Sequence, residues 1–291
     1  MTPFSIFSDS SCDLPDNIIK KYNVTIVPFY VSLDHKKYMR EIEELAVKTL
    51  TDEMVNNGVY PKTSFPPVYD YIRKFEAELK KGSDIICFCL TEKFSGSYQS
   101  AHNAANELKE KYPGRRIHII DSMLATGSQG LLIQQCALMR ENGLDVSLIL
   151  NNIEKIKKTG RVFFTVDSLE YLKHGGRIGK VSALAGQILN IKPVIGLING
   201  ELVPLGKARG NKNAVKEILN LTLKEVSHSP DDYVYSFVTS VRFNEIEKIK
   251  THLLEEYNII IEETDIIGAT IGSHIGPTVL GICFIKKYDC V

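Results

Sequence analysis

The 291-residue sequence carries no surplus charge: 35 Lys and Arg balance 35 Asp and Glu. That excludes the broad basic surface with which proteins neutralise nucleic-acid phosphates, although a local basic patch is still open. It also lacks a CxxC pair. Its six cysteines (Cys12, Cys87, Cys89, Cys136, Cys283 and Cys290) are scattered. Cys87 and Cys89 lie two apart in a strand-like run and so point the same way, which fits reduced core thiols better than disulfides or zinc. No uninterrupted apolar run approaches membrane-spanning length. The start, Met1-Thr2-Pro3-Phe4, has neither the basic nor the apolar segment of a secretory signal, so a soluble, cytoplasmic protein is expected. No repeat or low-complexity tract is present. What is there is 44% apolar and 24% charged, the composition of a globular protein, in a chain long enough for two domains.

The first half alternates strand and helix signals. Strands are expected at 4–7, 24–33, 84–90 and 117–120, with Pro28 marking an edge or an irregularity in the second. The run 84–90 is almost wholly apolar, as suits a parallel strand covered on both faces. Asp13 is placed to cap a short helix with Pro15 in its first turn. Helices are expected at 42–57 (stopping near Gly58), from Pro66-Pro67 to 81 (ended by Gly82), at 97–111 and at 131–139. Repeated strand–loop–helix units predict an open, parallel-type α/β domain over residues 1–160, with ligands at the carboxyl ends of its strands. The Asp9, Ser95 and Asp121 loops then share one rim. Beyond it a strand is expected at 161–166, a short helix at 169–174 and an apolar helix at 183–189. The best turn signal is Asn199-Gly200, a type I′ hairpin turn between apolar runs. Helices at 212–226 and 243–257 flank a strand at 233–238, and strands are expected at 259–261 and 278–285. Strands cluster here, so residues 161–291 read as an α+β domain on a mixed sheet.

Chemistry concentrates in three segments. Lys62-Thr63-Ser64-Phe65-Pro66-Pro67 and Phe94-Ser95-Gly96-Ser97-Tyr98-Gln99-Ser100 each precede a helical pattern, where hydroxyls and free N–H groups suit a small anion. Thr63 and Ser95 equally read as helix N-caps, and the two roles are compatible. Gly96 allows close approach to the backbone. The third segment, Gly272-Ser273-His274-Ile275-Gly276-Pro277, reads as a glycine-rich loop that adds a titratable donor, His274. Asp9 and Asp121 specify no metal geometry and read as capping carboxylates. Ser95 lacks the G-x-S-x-G setting of a nucleophile. Arg177, in Gly175-Gly176-Arg177-Ile178-Gly179-Lys180, and Lys207 with Arg209 read as basic loops, either solvated or docking an acidic partner.

In order and combination, Ser8-Asp9-Ser10, Thr63-Ser64, Ser95-Gly96-Ser97-Tyr98-Gln99-Ser100, Asp121-Ser122, Gly175-Gly176-Arg177-Ile178, Lys192-Pro193 and Gly272-Ser273-His274-Ile275-Gly276-Pro277 resemble the DegV family. This is the bacterial fatty-acid-binding family that includes the FakB subunits of fatty acid kinase, and the resemblance spans the chain. It implies the two-domain DegV fold with a ligand tunnel between residues 1–160 and 161–291. It implies a long-chain fatty acid such as palmitate whose carboxylate meets Thr63, Ser95 and His274, assisted by the Gly96 backbone. No cofactor, metal or catalytic residue is implied. A separate ATP-binding subunit is implied as partner, docking near Arg177 and Arg209 and converting the acid to acyl-phosphate for phospholipid synthesis. Phe65-Pro66-Pro67, Ser95-Gly96-Ser97 and Gly276-Pro277-Thr278 depart from the commoner family forms, which bears on the shape around the head group. The competing reading is a phosphotransferase or hydrolase using the Asp9, Ser95 and Asp121 rim on a small phosphorylated metabolite.

Overall fold

The computed structural model describes residues 3–184, 190–261 and 264–291. In chain order its strands are β1 (Phe4–Asp9), β2 (Val24–Val27), β3 (Tyr30–Ser32), β4 (Met39–Arg40), β5 (Lys62–Ser64), β6 (Asp84–Cys89), β7 (Ile117–Asp121), β8 (Arg161–Thr165), β9 (Ile191–Ile198), β10 (Glu201–Arg209), β11 (Tyr233–Thr239), β12 (Thr264–Ile266) and β13 (Leu280–Lys286). Its helices are α1 (Asp16–Tyr22), α2 (Val47–Asn57), α3 (Val68–Leu79), α4 (Ser97–Lys111), α5 (Thr126–Glu141), α6 (Val146–Ile156), α7 (Glu170–His174), α8 (Asn211–Val226), α9 (Phe243–Tyr257) and α10 (Ala269–Ile275). The strands form a parallel sheet, β2-β1-β6-β7, a mixed sheet, β10-β9-β8-β13-β11-β12, and a small antiparallel sheet, β4-β3-β5. This is the mixed α/β architecture expected. Among the described residues no helix is long and apolar enough to cross a membrane.

The apolar run of β6 is explained by its place between β1 and β7. Alternate side chains go to opposite faces. Ile85, Cys87 and Cys89 pack with Phe75 and Leu108 under α3 and α4, while Ile86 and Phe88 pack with Leu132 and Cys136 of α5. Each such buried aliphatic or aromatic side chain contributes roughly 1.5–3 kcal/mol relative to exposure. The mixed sheet is likewise covered on both faces. Phe163, Phe237, Ile282 and Phe284 meet α8 and α9, and Val162, Phe164, Leu197 and Val238 face the core shared with α5. The hairpin between β9 and β10 turns on Asn199 and Gly200, both with left-handed backbone (φ 51° and 82°), as a type I′ turn requires.

Several elements differ from the sequence-based expectation. The strand expected over 24–33 breaks at Pro28 into β2 and β3, which belong to different sheets. Proline supplies no N–H to continue a ladder. The helix expected from residue 42 begins at Val47, because Ile42 has φ 71° and Glu41 is buried. Asp13 does not cap α1. It is itself left-handed, accepts a hydrogen bond from Thr126, and leaves Pro15 as the residue before the helix. Residues 259–261 are not a strand: Ile259 and Ile261 are buried beneath α9, and the paired strand is Thr264–Ile266. The glycine-rich segment around His274 is the short helix α10, not a loop. Lys207 and Arg209 lie in β10, not in a loop. The apolar helix expected at 183–189 falls mostly outside the described residues.

Candidate functional site

A cavity lies between the carboxyl ends of the parallel strands and one face of the mixed sheet, roofed by α10. The space between its walls, counted out through the open mouth, is about 830 Å³. Fifteen of its twenty-one lining residues are apolar, so its natural occupant has an apolar body. The mouth is marked by Phe65, 45% exposed, with Phe94 and Arg177.

Thr63, Ser95 and His274 all line this cavity, brought together from β5, the loop before α4, and α10. The register of β5 against β3 aligns Thr63 with Val31, and the Thr63 hydroxyl lies 2.8 Å from His274 Nε2. Thr63 is therefore not a helix cap; Pro67 occupies that position for α3. Ser95 serves a local role as well, its hydroxyl accepting from the Ser97 N–H at 3.1 Å. Below it, the Ser97 hydroxyl donates to the fully buried Asp9 at 2.6 Å, and Asp9 also accepts from the Leu90 N–H, Ser11 and Gln129. Burial pushes the Asp9 carboxyl above its ordinary pKa in spite of these donors. Asp9 thus anchors the Ser95 loop from behind, and Asp121 caps the Glu92 and Met123 N–H groups. Neither lines the cavity, so the expected shared rim is a support for the site.

His274 packs with its Nδ1 against the Gly175 backbone: a Cβ at Gly175 would lie 2.2 Å from it. That explains the glycine ahead of Arg177, a dependence invisible in sequence because the two residues are 99 positions apart. Nδ1 is buried without a hydrogen-bond partner, and Nε2 is the nitrogen that meets Thr63. Burial, and secondarily the Arg177 guanidinium, lower the His274 pKa to about 4. In the tautomer with its proton on Nε2, neutral His274 donates to Thr63 and leaves the Thr63 hydroxyl proton for a ligand. Arg177 itself is exposed at the mouth, donating to the Phe94 and Gly175 carbonyls.

The remaining wall hydroxyls are already committed. Thr126 donates to Asp13 and Thr270 donates to Glu41, each at 2.6 Å. Glu41, buried and with a raised pKa from desolvation, also accepts from the Thr270 N–H and from Ser10. It therefore holds the start of α10 in place. Sequence reasoning missed Glu41, which lies just ahead of the helix expected from residue 42 in the charged run Glu41-Ile42-Glu43-Glu44. Gly96 sits behind the ring of Phe65, which a Cβ there would approach to 2.8 Å. Arg209 lies seven residues beyond Leu202 on β10, roughly 23 Å along the strand from the mouth.

A parallel and a mixed sheet enclosing an apolar cavity, with a polar cluster at its mouth, define a ligand-binding protein of the α/β class. The chain belongs to the DegV family, described as uncharacterised proteins, which it matches over residues 3–287. It is 32% identical over 287 residues to a DegV domain-containing protein of Clostridium perfringens, covering 98% of each chain. Among solved structures it resembles a stearic-acid-binding protein of Eubacterium ventriosum (TM-score 0.95, 34% identity, 99% of this chain and 100% of that one). It also resembles a fatty-acid-binding DegV family protein of Thermus thermophilus (TM-score 0.88, 29% identity, 98% and 99%).

Proposed function

We propose that this protein binds one long-chain fatty acid, such as palmitate, with its carboxylate at Thr63, Ser95 and His274, and presents it to an ATP-dependent kinase subunit for conversion to acyl-phosphate. The product would feed phospholipid synthesis in the cytoplasm. On this reading the chain divides into domains 1–160 and 161–291 with the cavity between them. It turns over nothing alone and needs no cofactor. The observation that carries the reading is the placement of polar groups: the wall is mostly apolar, the deeper hydroxyls of Thr126 and Thr270 are used by carboxylates, and the Thr63 and Ser95 hydroxyls lie with the Arg177 guanidinium at the mouth. An anionic head group is accommodated only at that end. Burying ~14 methylenes at ~0.8 kcal/mol each offers about 11 kcal/mol gross before association and ordering costs. Affinity would come from the chain, and orientation from the donors. Gly96 would act by admitting Phe65, and Arg177 and Arg209 would meet the kinase. The similarity to fatty-acid-binding DegV proteins supports this reading.

Native mass spectrometry of the purified protein tests it. A co-purified fatty acid is expected, and Ser95→Ala with Thr63→Ala should retain much of it while acyl-phosphate formation by the kinase falls. Each lost charge-assisted hydrogen bond costs roughly 1.5–3 kcal/mol. Lipid-free protein that binds nucleotide or a small phosphorylated metabolite would overturn the proposal in favour of an enzyme.

A further inference from the structure

The strand order fixes the direction in which a ligand must lie. The cavity wall takes Leu202 from β10, Leu197 from β9, Val162 and Phe164 from β8, and Val238 from β11. The register shows how these connect: Leu202 pairs with Leu197 and Leu197 with Val162, while Phe164 pairs with Gly281 and Gly281 with Val238. The cavity therefore crosses the sheet, from β10 at one side to β11 at the other. Its ends differ. Leu202 borders Phe94 and Arg177 at the mouth, whereas Val238 and Ile267 at the other end are each 1% exposed. α10 lies along the same line in the opposite sense, with Thr270 near its start at the closed end and His274 near its end at the mouth.

Two features make the far end a firm stop. Gly281 offers no side chain between Phe164 and Val238, and these lean over it so closely that a Cβ there would lie 2.8 Å from Phe164 Cβ and 3.1 Å from Val238 Cγ2. In the same wall as Ile267, Thr126 and Thr270 are tied to the buried carboxylates Asp13 and Glu41. Thr126 is held at φ 49°, a strained backbone for a β-branched residue that persists only where its surroundings enforce it. This wall is braced and does not yield easily to a longer chain.

Resting on the fatty-acid reading above, we propose that Val238 and Ile267 set the acyl length this protein accepts, at about sixteen to eighteen carbons. Four strand spacings of ~4.8 Å separate β10 from β11, about 19 Å in all. An extended chain advances about 1.2 Å per bond, judged from ~3.5 Å over the three backbone bonds of an extended residue, so some sixteen bonds fill that span.

The test is competitive loading with an equimolar series of laurate, myristate, palmitate, stearate and arachidate, read by native mass spectrometry on proteins whose thermal unfolding shows them folded. Wild-type protein should prefer palmitate and stearate. Val238→Phe and Ile267→Phe should shift preference towards laurate and myristate, and excluding two methylenes weakens stearate about tenfold. Val238→Ala, which needs no overpacking, should shift it towards arachidate. Leu219→Phe, an enlargement in α8 on the opposite face of the mixed sheet and outside the cavity, should leave the order unchanged. Folded Val238 and Ile267 variants with the wild-type order, or a Leu219 variant that changes it, would overturn the length assignment alone. Wild-type protein that takes up none of the five acids would overturn the fatty-acid reading and this one with it.

Discussion

His274 shows how a single residue's setting reverses a sequence-level expectation. A histidine meant to meet a carboxylate reads as a cation near neutral pH, yet here burial and Arg177 bring its pKa from 6.5 to about 4. It is neutral across the physiological range until an anion is bound beside it, which raises the pKa again. The sign for stability follows from linkage. The unfolded chain protonates this histidine as pH falls through 6.5, whereas the fold resists until about 4. His274 therefore costs nothing above pH 6.5, and stability is lost progressively between 6.5 and 4, by about 3 kcal/mol. Asp9 and Glu41, with raised pKa values, act in the opposite sense, so wild type must be compared with His274→Gln. The variant should lose less stability on going from pH 7 to pH 4, measured by chemical denaturation. Imidazole NMR should show no His274 titration between pH 6 and 8 without fatty acid, and an upward shift when palmitate is added. A resonance titrating near 6.5 in both states would remove His274 from contact with the carboxylate.

The β9–β10 hairpin shows the same interplay among elements. Asn199-Gly200 was chosen by local turn chemistry, but its tip also docks onto the loop after β6. The Thr91 hydroxyl donates to the Gly200 carbonyl at 3.2 Å, and a Cβ at Gly200 would come within 2.7 Å of that hydroxyl. Gly200→Ala therefore suffers twice, from a left-handed backbone (φ 82°) and from collision with a buried partner. The expected loss is about 2 kcal/mol or more, of which the backbone alone accounts for roughly 1–2. Denaturant midpoints measure it. A loss below half of that would mean the hairpin tip moves freely off Thr91.

For the whole molecule, Arg177 and Arg209 would, on the proposed function, divide into two roles. Arg177 lines the mouth, whereas Arg209 is exposed at the far end of β10. Arg177→Glu should lower both fatty-acid content and association with the kinase. Arg209→Glu should leave fatty-acid content at the wild-type level and slow association only, with the deficit shrinking as salt screens it. Surface plasmon resonance at two ionic strengths, with native mass spectrometry on the same samples, reads both. A normal association rate for Arg209→Glu would confine docking to the mouth. Fatty acid binding should also stabilise the fold, by about 2.7 kcal/mol at a hundred times the dissociation constant, since the unfolded chain offers no cavity. Thermal unfolding with and without palmitate measures this.

Periodicity, caps and turn residues determined most elements from the sequence alone, because those signals act within a few positions. α4 and α9 begin and end where the pattern placed them, and the Asn199-Gly200 turn needs only its own backbone preference. Thr63, Ser95 and His274 stood out in the sequence as polar residues beside glycine and proline, and the family resemblance, not local pattern, grouped them. Tertiary structure alone decided what they form. The burial that keeps His274 neutral, the Gly175 backbone under its ring, and the Glu41 carboxylate holding α10 from 229 residues away depend on groups that meet only when the sheets pack. The irregularity at Pro28 was signalled by the proline itself, whereas the start of α2 was set by the buried Glu41 carboxylate against helix propensity. Local free energies of a few tenths of a kcal/mol per residue set the elements, while desolvation and long-range hydrogen bonds, each worth ~1–3 kcal/mol, set the site.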